Sequence, residues 1–144
     1  MLEPWWEEGH NPSSYFWIMP VKQAKDENSG DWGCYCCTEE QISIEEDIVA
    51  SYLYQQFLKP NFDKNIEYTC RKKEFGKETI EFDWYGYNLY TYDTVRKMAI
   101  QMKKYAESNA LSEKAVQFYE TLSDRLLLMI EREPNWDFIS FEGQ

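Results

Sequence analysis

The chain has 144 residues, with 26 acidic side chains against 15 basic ones and a formal net charge of −11 with its one histidine neutral. That charge excludes generic adhesion to nucleic acid or anionic membrane, both of which need a positive surface. Aromatic residues make up 17% of the chain (six Trp, eleven Tyr, eight Phe), which excludes disorder, since disordered chains are poor in aromatics and cannot bury enough apolar area to fold.

The length suits one globular domain over 1–144, with 1–13 an irregular N-terminal segment. Met1-Leu2-Glu3-Pro4-Trp5-Trp6-Glu7-Glu8 has neither the positive n-region nor the apolar h-region of a secretory signal. No apolar run nears the about 18 residues of a membrane span. Three of the four cysteines, Cys34, Cys36 and Cys37, crowd together, with Cys70 apart, unlike the spaced framework of a secreted disulfide domain. A cytoplasmic location with reduced thiols is expected.

Tyr15-Phe16-Trp17-Ile18-Met19 reads as a buried strand ending at Pro20, and Trp32–Cys37 as a second strand. The polar, Gly-containing stretch Asp26–Asp31 between them predicts a hairpin. Ser43-x-x-Glu46 has the form of a capping box, and Ile44, Ile48, Val49, Tyr52, Leu53 and Phe57 follow at helical spacing. The first helix is therefore expected at roughly 43–59, stopped by Pro60.

Ile66, Tyr68 and Cys70 alternate with polar residues, as do Ile80, Phe82 and Trp84 after Glu74-Phe75-Gly76-Lys77, which predicts a second hairpin. A short edge strand is expected at 88–91. Asp93 is placed to cap a helix with Val95, Met98, Ala99, Met102, Tyr105 and Ala106 on one stripe. Ser112 is placed to cap another, carrying Val116, Phe118, Tyr119, Leu122, Leu126, Leu127, Met129 and Ile130 and ended by Pro134. Trp136–Phe141 reads as a final strand. The order β β α β β (β) α α β predicts an α+β fold, an antiparallel or mixed sheet of five to six strands packed against three helices.

Catalytic chemistry is tested mainly by absence. His10 is the sole histidine, which precludes a two-His zinc site and makes it the one possible imidazole base for a Ser or Cys nucleophile. There is no G-x-S-x-G elbow, Walker loop or G-x-G-x-x-G. Cys34, Cys36, Cys37 and Cys70 lack the usual knuckle spacing, and in a strand Cys37 points away from Cys34 and Cys36, so core thiols are expected rather than zinc ligands. Asp63, Asn65, Glu67 and Glu74 match a calcium loop in part, but Tyr68 stands where that loop needs Gly. No catalytic residue, metal or cofactor is assigned, and a non-enzymatic function is expected.

Charge is segregated along the chain. Asp26, Glu27, Asp31, Glu39, Glu40, Glu45, Glu46 and Asp47 fall in a stretch without Lys or Arg, while the rest of the sequence is nearly balanced. Acids at a helix start complement its dipole, which explains Glu45, Glu46 and Asp47 alone. The eight acids, with Trp32 and Tyr35 as anchors, suggest a surface that docks onto a positively charged protein partner, since opposed fields speed encounter and select partners. In size and charge the chain resembles small acidic inhibitors, the immunity proteins that neutralise nuclease toxins and the nucleic-acid mimics of phage. Direct nucleic-acid or membrane binding is not expected. Two rival readings are a small-molecule protein or enzyme built on Trp84, Tyr87, Tyr90 and Tyr92 in the aromatic 82–92 segment, and a homodimer formed through an aromatic surplus.

Overall fold

The computed structural model describes residues 15–25, 32–37, 39–63, 66 and 81–143, with the backbone alone at 23–25 and 32–35. In chain order these form β1 (Tyr15–Lys25), β2 (Trp32–Cys36), β3 (Ile42–Glu45), the helical turn α1 (Glu46–Ile48) with its π-helical continuation Val49–Leu58, β4 (Tyr87–Tyr90), α2 (Tyr92–Ser108), α3 (Glu113–Arg132) and β5 (Phe138–Glu142).

The strands make one antiparallel sheet in the order β2-β1-β5-β4. The long β1 takes β2 along residues 21–25 and β3 along 15–18 of the same edge, so the two short strands lie end to end and the sheet is four strands wide. The α+β class is as expected; among the described residues the sheet is narrower than the five to six strands expected. The predicted 66–84 hairpin falls mostly outside the described residues. Its end, Phe82–Trp84, is irregular, because the Asn88 side chain takes the place of a strand partner. Asn88 Oδ1 accepts from Asp83 N at 2.7 Å, and Nδ2 donates to the carbonyls of Asp83 at 2.8 Å and Phe141 at 2.9 Å.

Strand alternation sorts side chains onto two faces. Phe16, Ile18, Ile42, Ile44, Tyr90, Ile139 and Phe141 point into a core completed by Leu53, Met98, Met102, Phe118, Leu122 and Leu126 from the helical segments. All three helical layers lie on this face. Ser123 Oγ donates to Ala99 O at 2.6 Å and Lys103 Nζ meets Asp124 Oδ1 at 2.6 Å, tying α2 to α3. The stripes expected on α2 and α3 are buried except at Tyr105, Val116 and Leu127, which are half-buried against the core.

Three local expectations are corrected. β1 does not stop at Pro20 but runs on to Lys25. Pro20 stands opposite Cys37, whose N–H donates to Pro20 O at 2.9 Å, so the ring costs only the reciprocal bond, at the end of the β1–β2 ladder. Ser43 is not a helix cap. It is 2% exposed in β3, paired with Trp17, and the helix starts at Glu46 after an extended Glu45 that makes no side-chain cap bond. Asp93 is not the α2 cap either. Thr91 is, its hydroxyl accepting from Thr94 N at 3.2 Å, while Asp93 sits in the first turn and pairs with Arg96 at 2.8 Å. Ser112 caps α3 as expected, accepting from Ala115 N at 3.2 Å.

Candidate functional site

The acidic segment traces the outer edge of the sheet, through the turn after β2, along β3 and into α1. Asp26, Glu27 and Asp31 lie outside the described residues, as do the side chains of Trp32 and Tyr35 in β2. Glu39 and Asp47 are exposed, and no ion pair engages either among the described residues. Glu40 is half-buried and its Oε1 stands 3.5 Å from Arg132 Nη1. Glu46 is half-buried. Glu45 does not belong to the surface: it is 2% exposed, because its position in β3 turns it inward with Ser43 on the face opposite the helices. The segment is therefore divided between an exposed rim and a buried carboxylate.

The aromatic 82–92 segment is likewise divided. Tyr90 is buried beneath the helices and donates from its hydroxyl to Leu58 O at 2.6 Å, Trp84 packs on Phe16 and Tyr54, and the Tyr92 hydroxyl donates to Glu133 O. Burial pushes the Tyr92 phenol up to about 12, with Glu133 adding to the rise. Tyr87 faces the other side of the sheet. The four rings line no common cavity.

The second face of the sheet holds groups that sequence reasoning did not single out. Register sets Trp17, Glu142 and Tyr87 side by side across β1, β5 and β4, and sets Met19, Ser140 and Leu89 in the next row. Tyr15, whose ring centroid is 6.1 Å from that of Trp17, stands opposite Glu45. Met19, Val21 and Leu89 form a small apolar patch here, against which Trp17, Cys36, Ile66, Tyr87 and Phe138 pack. Trp17 Nε1 and Ser140 Oγ are buried without a hydrogen-bond partner among the described residues. Burial raises the Glu142 carboxyl above its ordinary pKa, and Glu142 in turn helps raise the Cys36 thiol and the Tyr87 phenol beyond the effect of their own burial. The alternation Phe138-Ile139-Ser140-Phe141-Glu142 already places Ser140 and Glu142 on one face; their neighbours depend on long-range register.

Of the expected core thiols, Cys37 is buried and Cys36 half-buried, both free, while Cys70 and the Cys34 side chain lie outside the described residues. No group of three or more His, Cys, Asp or Glu is gathered as a metal site among the described residues, and no described helix is long and apolar enough to cross a membrane. A groove of about 520 Å³ separates the end of the π-helical segment from α2, lined by Gln56, Pro60, Asn61, Gln101, Lys104 and Tyr105. Asn61 Nδ2 donates across it to Gln101 Oε1 at 3.4 Å. Large apolar side chains well exposed among the described residues are Tyr85 and Ile100. No family model matches this chain, and neither a curated protein nor a solved structure is similar to it.

Proposed function

We propose that the protein is an acidic binding module of the inhibitor or immunity type, which docks its 26–47 rim onto a basic protein partner such as a nuclease toxin. The observation that supports this reading is the state of Glu39 and Asp47. Both are exposed at the sheet edge, neither is engaged by a described cation, and the sequence supplies no Lys or Arg from residue 26 to residue 58. Unneutralised surface charge of this kind contributes to encounter rate and partner choice more than to final affinity. Glu40 contributes less, because Arg132 already neutralises part of its charge. Glu45 contributes nothing to such a contact from its buried position.

The test pairs this protein with the purified basic product of a neighbouring open reading frame, where the target of an inhibitor is expected. Association rate should fall steeply as salt rises through the range in which the Debye length shrinks from about 30 Å to about 8 Å. Reversing both exposed acids (Glu39→Lys with Asp47→Lys) should slow association by about tenfold while dissociation changes little. An association rate indifferent to salt and to the double reversal overturns the reading.

A further inference from the structure

The groove between the end of the π-helical segment and α2 is an open space of about 520 Å³, within the range of about 300–1,000 Å³ typical of small-molecule sites. One wall belongs to Val49–Leu58 and the turn after it, and π-helical geometry is rare and concentrates at functional sites. Asn61 ends that wall: its backbone N and its Nδ2 both donate to Phe57 O, at 3.3 and 2.8 Å. The other wall is α2, where Gln101, Lys104 and Ser108 recur at three- and four-residue steps and so share one face. Between the walls the surface is aromatic. Tyr105 meets Phe57 edge to face at 5.7 Å and Tyr119 at 5.3 Å, which fixes its ring from two sides, and Pro60 adds a further apolar surface.

The lining holds one cation and no carboxylate, in a chain whose acids outnumber its bases 26 to 15. Two other cations of α2 are already occupied, Arg96 by Asp93 and Lys103 by Asp124. The exposed Lys104 ammonium has no ion pair or hydrogen bond among the described residues. Asn61 Nδ2 donates to Gln101 Oε1 at 3.4 Å, which engages the acceptor end of that amide and leaves its two N–H donors unused.

These groups discriminate between ligand classes. A cation would meet Lys104 and no carboxylate. A nucleic acid or other polyanion would meet a single positive charge in a strongly negative molecule. A metal ion would find no gathered His, Cys, Asp or Glu among the described residues. A wholly apolar ligand would cover the ammonium and the amide donors without pairing them. A monocarboxylate on an aromatic body suits both halves of the groove, since charge-assisted donors sit beside exposed ring surface.

We propose that this groove binds a small aryl carboxylate: Lys104 Nζ and Gln101 Nε2 donate to the carboxylate, and the ligand ring lies on Tyr105, Phe57 and Pro60. The groove lies at the opposite end of the helical segment from Asp47, so the site stands or falls independently of the docking reading above.

The probe is hydrocinnamate, followed through the Gln101 side-chain amide and Tyr105 ring resonances. Its controls are hydrocinnamamide, which keeps the shape without the charge, and acetate, which keeps the charge without the ring. Hydrocinnamate should give a saturable shift in the millimolar range that neither control gives. Lys104→Gln should weaken it by about fivefold, the scale of an exposed ion pair. Gln101→Ala should weaken it about threefold through loss of the amide donors. Lys97→Gln removes the same charge from α2 two turns away, outside the groove, and should leave binding within about twofold. The Glu39→Lys, Asp47→Lys double variant should also bind within about twofold of the parent. A short peptide ending in a phenylalanine carboxylate forms a further arm: shifts from the peptide but none from hydrocinnamate would assign the groove to a partner's chain terminus and overturn the small-molecule site. Absence of a saturable shift, equal binding of either control, or equal effects of Lys97→Gln and Lys104→Gln also overturns it.

Discussion

Glu142 holds its proton longer in the folded protein than in the unfolded chain, because its half-buried place between Trp17 and Tyr87 penalises the charged form. The consequence for stability has a definite sign. Below the unfolded carboxyl value of about 4.3 the group is protonated in both states and costs nothing extra. As pH rises the unfolded chain ionises first, so folded stability declines until pH has passed the raised folded value. Cys36 and Tyr87, which share the field of Glu142, are both pushed upward and stay neutral across this window. Glu142→Gln removes this titration alone. Its gain in melting temperature over the parent should therefore be larger at about pH 8 than at about pH 4; a gain independent of pH would contradict the assignment. Little of this site was legible in the chain of letters. Alternation places Ser140 beside Glu142, but bringing Trp17 to them requires a register between strands more than a hundred residues apart, and a slip of one residue would send every side chain to the other face. At the same scale, Gly143 is fixed by crowding: a Cβ there would collide with the Trp84 carbonyl oxygen, in the segment that Asn88 holds.

Among the elements, the amphipathic helices α2 and α3 were readable because period and composition are local, and their buried stripes match the spacing in the sequence. The caps were harder, since several polar residues compete at each helix start. Thr91 and Asp93 can be separated by experiment. Removing the Thr91 hydroxyl (Thr91→Ala) orphans the Thr94 N–H and should cost about 1 kcal/mol in denaturant unfolding. Asp93→Ala loses an exposed pair with Arg96 and a favourable dipole contact, and should cost about half as much or less. The helix after β3 shows where local reasoning misleads. Ile44 and Ser43 fit a helical frame, but pairing with β1 claims them for the sheet. Beyond them, Ile48, Leu53 and Leu58 are buried at five-residue steps, a signal of π-helical geometry, and Lys59 N donates to Tyr54 O at 2.8 Å five residues back. Such geometry is mostly confined to single turns, so a ten-residue run needs outside support. The Tyr119 hydroxyl donates to Tyr52 O at 2.8 Å, and Tyr90 to Leu58 O at 2.6 Å, so α3 and β4 each hold one of its carbonyls. Burial correspondingly raises the Tyr119 phenol far above its ordinary value.

Over the whole molecule, acids outnumber bases by eleven, so pairs such as Arg96 with Asp93, Lys103 with Asp124 and Arg132 with Glu40 still leave a large excess of negative charge. Self-repulsion of this kind destabilises a compact state and is screened by salt. Melting temperature should therefore rise between about 20 mM and about 500 mM NaCl, beyond the Debye length's contraction to a few ångströms. A protein stabilised chiefly by surface ion pairs would respond in the opposite direction. The sheet order has a further consequence, in time rather than in energy. β1 comes first among the strands and β5 last, yet the two are central neighbours, and β4 joins the sheet only through β5. During synthesis β1 can pair along one edge with β2 and β3, but its other edge waits for more than a hundred further residues. The nascent chain thus passes through a stage in which two helices have formed and half the sheet has nothing to close against.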